Sequence, residues 1–182
     1  MLRIISGIHR SRQLEQPDMS ISRPTMDRVR EAIFNSIRMN IKDKIVLDLF
    51  AGSGAFAFEA ISNGAMKVFC VENNKNAINV IRNNKNTLKA NNVQIEYTDV
   101  LNFLNSNQGK EFDYIFIDAP YLMYETVNQT LELINEFKYL NKNGLIIVET
   151  NDSKQIMLPK GLTIQNYKKY GKVDILYISN NN

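Results

Sequence analysis

The chain has 182 residues, 44% hydrophobic and 23% charged, with a net charge of +3. That is enough for a single globular domain over residues 1–182 with a substantial core, and no apolar run approaches the roughly 20 residues of a membrane span. One cysteine, Cys70, and one histidine, His9, exclude a disulfide framework and a His/Cys metal cluster; with no signal-peptide pattern in the first residues, the expectation is a cytoplasmic, metal-free monomer that does not associate with membranes.

Residues 2–16 alternate apolar and polar positions around Gly7, which predicts a short hairpin carrying Arg10 and Arg12 on one face. Pro17 and Asp18 end it. Arg23-Pro24 leads into Thr25, a good N-cap, with Asp27 in the first turn of the helix that follows. Val29, Ile33 and Ile37 share one face of that helix, so Arg28, Glu31 and Asn35 occupy the other. Seven of the eight arginines precede residue 40: Arg3, Arg10, Arg12, Arg23, Arg28, Arg30 and Arg38. Arginine's planar fork suits phosphates and base edges, which makes residues 1–40, and Arg10, Arg12, Arg23 and Arg28 in particular, the expected docking surface for a nucleic acid.

From Lys44 the pattern alternates. Strands are expected at 45–49, 68–71, 93–97, 114–117 and 145–148, with helices at 55–62, 75–90, 100–105 and 125–137. Near-continuous apolar strands alternating with helices imply a parallel sheet covered on both faces. Residues 162–167 and 173–178 are two more strands, joined by a turn around Gly171 too short for a parallel crossover, so they pair antiparallel. An α/β sheet, mostly parallel and finished by a C-terminal antiparallel hairpin, over residues 44–179, fits the Rossmann-like fold of the class I methyltransferases; the N-terminal basic hairpin and helix precede it.

In such sheets ligands bind outside the carboxyl ends of the strands. Asp48, Glu72, Asp99 and Asp118 each fall at or just beyond a strand end and line one crevice. After Asp48 the chain reads Leu49-Phe50-Ala51-Gly52-Ser53-Gly54, whose glycines allow a tight turn and close approach to a ligand. Glu72 can accept both hydroxyls of a ribose, and Asp99 an adenine amine. Gly52-Ser53-Gly54-Ala55-Phe56-Ala57 also satisfies the G-x-G-x-x-A form of a nicotinamide dinucleotide site. Asp48 discriminates: a carboxylate there repels a pyrophosphate but attracts the cationic methionine end of S-adenosyl-L-methionine. The cofactor set is therefore Asp48, Phe50, Ala51, Gly52, Gly54, Glu72, Asn73, Asp99 and Val100.

The tetrapeptide Asp118-Ala119-Pro120-Tyr121 ends another apolar run. An amine conjugated to a purine ring is a poor nucleophile because its lone pair is delocalised. Two acceptors aimed at its hydrogens stabilise the positive charge that develops on nitrogen. The Asp118 carboxylate and the Ala119 carbonyl can supply them, Pro120 holds residue 119 extended, and Tyr121 can stack on the base.

These motifs resemble the bacterial 16S ribosomal RNA guanine-N2 methyltransferases. The likeness runs from Arg3-Ile4-Ile5-Ser6-Gly7, with Arg10 and Arg12, through the stretch from Arg23 to Glu31, the Asp48 to Gly54 motif and the stretch from Phe112 to Asp118, to Gly144-Leu145-Ile146-Ile147-Val148-Glu149 and Lys169-Tyr170-Gly171. The resemblance implies methylation of the exocyclic N2 amine of one guanine, with 16S ribosomal RNA or the assembling small subunit as partner. It also places the segment from Arg23 to Arg28 beside the cofactor and RNA cleft, and so adds Thr25 to the cofactor set. One departure stands out: the family pattern has two prolines in the tetrapeptide, and here the first is Ala119. Two other readings follow from the residues, a catalytically weak RNA-binding or ribosome-assembly factor on the same fold, for which Ala119 speaks, and an amino-methyltransferase of DNA adenine or a protein amide. A methyl-transfer assay separates the first, and the lack of a separate target-recognition domain weighs against the second.

Overall fold

Seven strands make one sheet in the order β5-β4-β3-β6-β7-β9-β8, in a computed structural model that describes residues 2–17 and 24–181, with side chains in the second segment from residue 27 onward. The elements run β1 (Leu2–Arg3), β2 (Gln13–Leu14), α1 (Pro24–Ile37), β3 (Ile45–Leu49), α2 (Ala55–Ser62), β4 (Lys67–Glu72), α3 (Lys75–Leu88), β5 (Val93–Tyr97), α4 (Val100–Ser106), β6 (Phe112–Ile117), α5 (Tyr124–Glu136), β7 (Leu140–Thr150), a 3₁₀ turn (Ser153–Gln155), β8 (Leu162–Tyr170) and β9 (Val173–Asn180). The pairs β3–β4, β3–β6, β4–β5 and β6–β7 are parallel, while β9 pairs antiparallel with β7 and β8. This is the mostly parallel Rossmann-like sheet with its antiparallel C-terminal hairpin.

Alternation along each strand sorts the core into two layers. Val46, Val68, Cys70, Tyr114, Phe116 and Ile147 face α1, α2 and α3, together with Leu2, Ile4 and Leu14 of the N-terminal segment. Leu47, Leu49, Phe69, Val71, Ile115 and Ile117 face α4 and α5. Strand β7 begins five residues before its expected start. Its pairing with β6 shifts register between Phe112, opposite Leu140, and Tyr114, opposite Leu145, so the polar residues Asn141, Lys142 and Asn143 ride within a strand.

The N-terminal segment differs most from expectation. Its strands are two residues long, with Leu2 opposite Leu14, and Arg10 and Arg12 lie on the connecting loop rather than on a strand face. That loop is bound to α2. Ile5 N–H and Ser6 N–H donate to the Glu59 carboxylate at 2.9 and 2.8 Å, and Ile8 N–H donates to the Ser62 carbonyl at 2.8 Å. Gly7, at φ +78°, passes so close that a Cβ would stand 1.9 Å from the Ser62 carbonyl oxygen; no other residue fits. Helix α1 starts at Pro24, so Thr25 is a helical residue and not the N-cap; proline's fixed φ suits the first turn. Val29, Ile33 and Ile37 are buried as the periodicity required, and Arg28, Glu31 and Asn35 are exposed. Arg23 and the side chain of Thr25 lie outside the described residues.

Candidate active site

A cleft of about 1230 Å³ opens at the carboxyl ends of the parallel strands. It straddles β3 and β6, where the strand order reverses and open α/β sheets bind ligands. Phe50, Ala51, Gly52, Glu72, Asn73, Asp99 and Val100 line one side, and Asp118, Ala119, Pro120 and Tyr121 line the other. The topology therefore gathers most of the residues singled out from the sequence into one cavity.

On the first side, Glu72 acts as a clamp. One carboxylate oxygen accepts from Gly52 N–H at 2.8 Å, and the other from Asn73 N–H and Asn74 N–H at 2.9 and 2.8 Å. The glycine turn is thereby fixed to the end of β4, with carboxylate lone pairs left for a ligand. Asp99 caps α4, accepting from Asn102 N–H at 2.9 Å, and still borders the cleft. Phe50 sits in the left-handed region at φ +61°, a conformation that costs a non-glycine residue about 1–2 kcal/mol and that concentrates at binding sites.

Asp48 and Gly54 are placed differently from expectation, beneath the cleft rather than on its wall. Asp48 is 1% exposed. Its Oδ2 accepts from Ala57 N–H in the first turn of α2 at 3.2 Å, and its Oδ1 is buried with no partner among the described residues. Burial raises its pKa well above the ordinary carboxylate value, and the nearby Asp118 and Glu72 add to the rise. Gly54, at φ +77°, has no room for a side chain because a Cβ would meet the Phe58 ring at 2.8 Å. The motif needs this glycine to seat the turn on α2, not to admit a ligand.

On the second side, Ala119 is buried and Tyr121 exposed, and no described residue hydrogen-bonds the Asp118 carboxylate. Desolvation lifts the Asp118 pKa to about 6. Beside it stands Glu149, on β7, which the strand-end pattern had not singled out. Ile117 pairs with Val148, so the next residues, Asp118 and Glu149, lie side by side. Glu149 is 7% exposed, and its pKa is pushed up to about 8 by burial and by Asp118, against the pull of Arg30. Arg30, 3% exposed, also lines the cleft. Its Nη2 donates to the Arg3 carbonyl at 2.7 Å and to Asp27 Oδ1 at 3.1 Å, and its Nε lies 3.6 Å from Glu59. Lys169 and Lys172, at the turn of the β8–β9 hairpin, complete the rim.

Of the arginines expected on RNA, Arg10, Arg12 and Arg28 are exposed and none lines the cleft. Arg12 reaches the Thr87 carbonyl of α3 at 3.5 Å. Glu149 was legible by the rule that found the other acids, since it follows the apolar run 145–148. Arg30 carried no such signal.

The family profile described as Conserved hypothetical protein 95 matches residues 2–179. Ribosomal RNA small subunit methyltransferase D of Haemophilus influenzae is 37% identical over 175 residues, covering 94% of this chain and 90% of its own. The protein of the same name from Escherichia coli is 34% identical over 176 residues, covering 94% and 86%. A solved Escherichia coli chain described as a candidate methyltransferase superposes with a TM-score of 0.88 at 31% identity, covering 98% of this chain and 97% of that one.

Proposed function

The chain belongs to the family described as Conserved hypothetical protein 95, and from that membership we propose that it methylates the exocyclic N2 amine of a guanine in small-subunit ribosomal RNA, with S-adenosyl-L-methionine as donor. One observation carries the reading. The turn formed by Asp118, Ala119, Pro120 and Tyr121 opens into the same cleft as the Glu72-clamped glycine turn, so a flat amine and a nucleoside donor can meet across it.

The residues present suit a cationic nucleoside. Asp48 Oδ1 is a buried oxygen with no donor among the described residues, in the field of Asp118 and Glu72, so the floor of the cleft favours positive charge and disfavours a pyrophosphate. Glu72 has lone pairs for ribose hydroxyls, Asp99 is the acceptor for an adenine amine, and Phe50, Ala51, Asn73 and Val100 form the walls. Helix α1, in which Thr25 lies, reaches the same cleft through Asp27 and Arg30. S-adenosyl-L-methionine, when bound, supplies an electrophilic methyl group on a sulfonium that leaves as a neutral thioether. Asp118 and the Ala119 carbonyl hold the two amine hydrogens and stabilise the charge developing on nitrogen. Tyr121 stacks on the base, which has to be flipped out of its helix to arrive. Exposed Arg10, Arg12 and Arg28, with Arg23, hold the RNA backbone outside the cleft. A backbone carbonyl at residue 119 serves whether that residue is proline or alanine.

The test is to incubate the protein with labelled methyl donor and either ribosomal RNA or small subunits, and to map the modified nucleotide. N2-methylguanine in the small-subunit RNA is expected. Label on adenine, or binding of a nicotinamide dinucleotide with no response to the methyl donor, refutes the reading.

A further inference from the structure

The transfer mechanism leaves Glu149 unused. It is a buried acid on β7, one residue beyond the Ile117–Val148 pair and so level with Asp118, which follows β6, and it lines the cleft. No described residue hydrogen-bonds its carboxylate. Two carboxylates side by side in a desolvated site do not both ionise at low cost. We propose that Asp118 and Glu149 work as a pair carrying a single proton, with Glu149 holding it in the resting site so that Asp118 keeps the charge that faces the amine. Glu149 is thus a positioning residue, acting through Asp118. The inference rests on the amine-methylation reading above.

The transfer balances with this pair. The amine lone pair forms the new N–C bond, the C–S bond breaks, and its electrons remain on sulfur. The methylated nitrogen then loses one of its hydrogens as a proton to the Asp118 carboxylate. With both acids then neutral, one proton passes out to water through the mouth of the cleft. The order of the two pKa values, about 6 for Asp118 and about 8 for Glu149, agrees with Glu149 as the resting proton carrier. Because the two groups interact, both titrations belong to the pair. Among the described residues, the other charged groups lining the cleft are Asp27 and Arg30 on α1, Glu72 at the end of β4, Asp99 before α4, and Lys169 and Lys172 near the β8–β9 turn, with Asp48 of β3 beneath it. Of these, Arg30 acts on Glu149 and favours its ionised form.

Two readouts test the pair. Carbon NMR of the side-chain carboxyls in donor-free protein should show the Asp118 resonance moving in two steps, near neutral and again at mildly alkaline pH, with the second step absent in Glu149→Gln. In single-turnover methylation of ribosomal RNA, Glu149→Gln should stay within a few-fold of the wild-type rate at neutral pH, because the neutral amide, like the protonated acid, leaves the negative charge on Asp118. Glu149→Ala should lose roughly 10- to 100-fold, within the range for a lost acid–base group, while its affinity for S-adenosylhomocysteine changes little. A Glu149 that titrates in the ordinary carboxylate range without moving Asp118 overturns the pair, as does Glu149→Ala with wild-type rate and pH profile. Wild-type protein that methylates no ribosomal RNA overturns the proposed function and this role with it; wild-type activity with an indifferent Glu149 overturns the pair alone.

Discussion

Replacing Glu149 by glutamine should stabilise the donor-free protein by an amount that grows with pH. The folded carboxyl keeps its proton up to about 8, against an ordinary glutamate value of 4.5. A group whose folded pKa is raised contributes stability that is complete below the unfolded pKa and lost as pH rises through the folded one. The wild-type protein therefore loses stability between pH 4.5 and about 8 as the unfolded chain, but not the fold, gives up this proton. At about 1.4 kcal/mol for each tenfold, the limiting loss is about 5 kcal/mol. Relaxation of the site and water entering the cleft when the carboxyl ionises reduce it, so a gain of roughly 2–4 kcal/mol for Glu149→Gln at pH 9 is the expectation. Glutamine has nearly the same volume, so packing against Ile175, the partner of Glu149 on β9, is preserved. Urea unfolding of both proteins at pH 5, 7 and 9 measures the difference. A stability difference that does not change between pH 5 and pH 9 would show that Glu149 ionises in the fold as readily as in the unfolded chain.

Asp118→Ala should reduce methylation by roughly 10²–10³, as for a lost transition-state hydrogen-bonding group, with donor affinity within a few-fold in calorimetry; equal losses in both would make Asp118 a donor-binding residue. The double change Arg10→Ala with Arg12→Ala should weaken RNA binding and lower the log–log salt slope by about 0.7–0.9 for each phosphate no longer neutralised, and an unchanged slope in filter binding would place the docked RNA elsewhere. Glu59→Ala removes the acceptor of two backbone N–H groups and one of the two carboxylates paired with the buried Arg30. It should cost about 3–5 kcal/mol in denaturant unfolding, and a loss below about 1 kcal/mol would mean that the N-terminal loop is not held by this carboxylate.

The strand-end acids were legible because a parallel strand buried on both faces reads as an apolar run, and a carboxylate that closes such a run has one place to go, the crevice. Depth was not legible. Asp48 and Glu72 follow similar runs, yet Asp48 points to the face covered by α2 and is sealed under it by the Ala57 N–H. Glu72 remains at the rim, holding Gly52. The place of Arg30 was hidden for a related reason. Arg30 looks like its neighbours in the chain, but its partner Glu59 lies on another helix, and only the packing of α1 against α2 brings them together. The early start of β7 was hidden because a register shift lets polar residues sit in a strand without breaking either apolar layer.

The geometry also explains why so many acids can share one end of the sheet. Asp48 of β3, Glu149 of β7 and Asp118, just past the end of β6, lie toward the α1 face of the sheet, and burial raises all three pKa values. In the donor-free protein the fold meets this by leaving a proton on Glu149 and by bringing in Arg30, the one buried cation among the described residues. Glu59 and Asp27 hold that guanidinium at some distance from full pairing with Glu149. A cationic ligand entering the cleft lowers the cost of ionising the acids that face it. Its binding and the loss of their protons are therefore linked, and donor affinity should rise with pH as Asp118 ionises. A neutral donor analogue lacking the sulfonium charge should show less of that pH dependence, a difference that calorimetry across pH 5–8 resolves. Equal pH dependence for the charged and uncharged analogues would mean that the acids respond to the adenosine or amino-acid portion and not to the charge on sulfur.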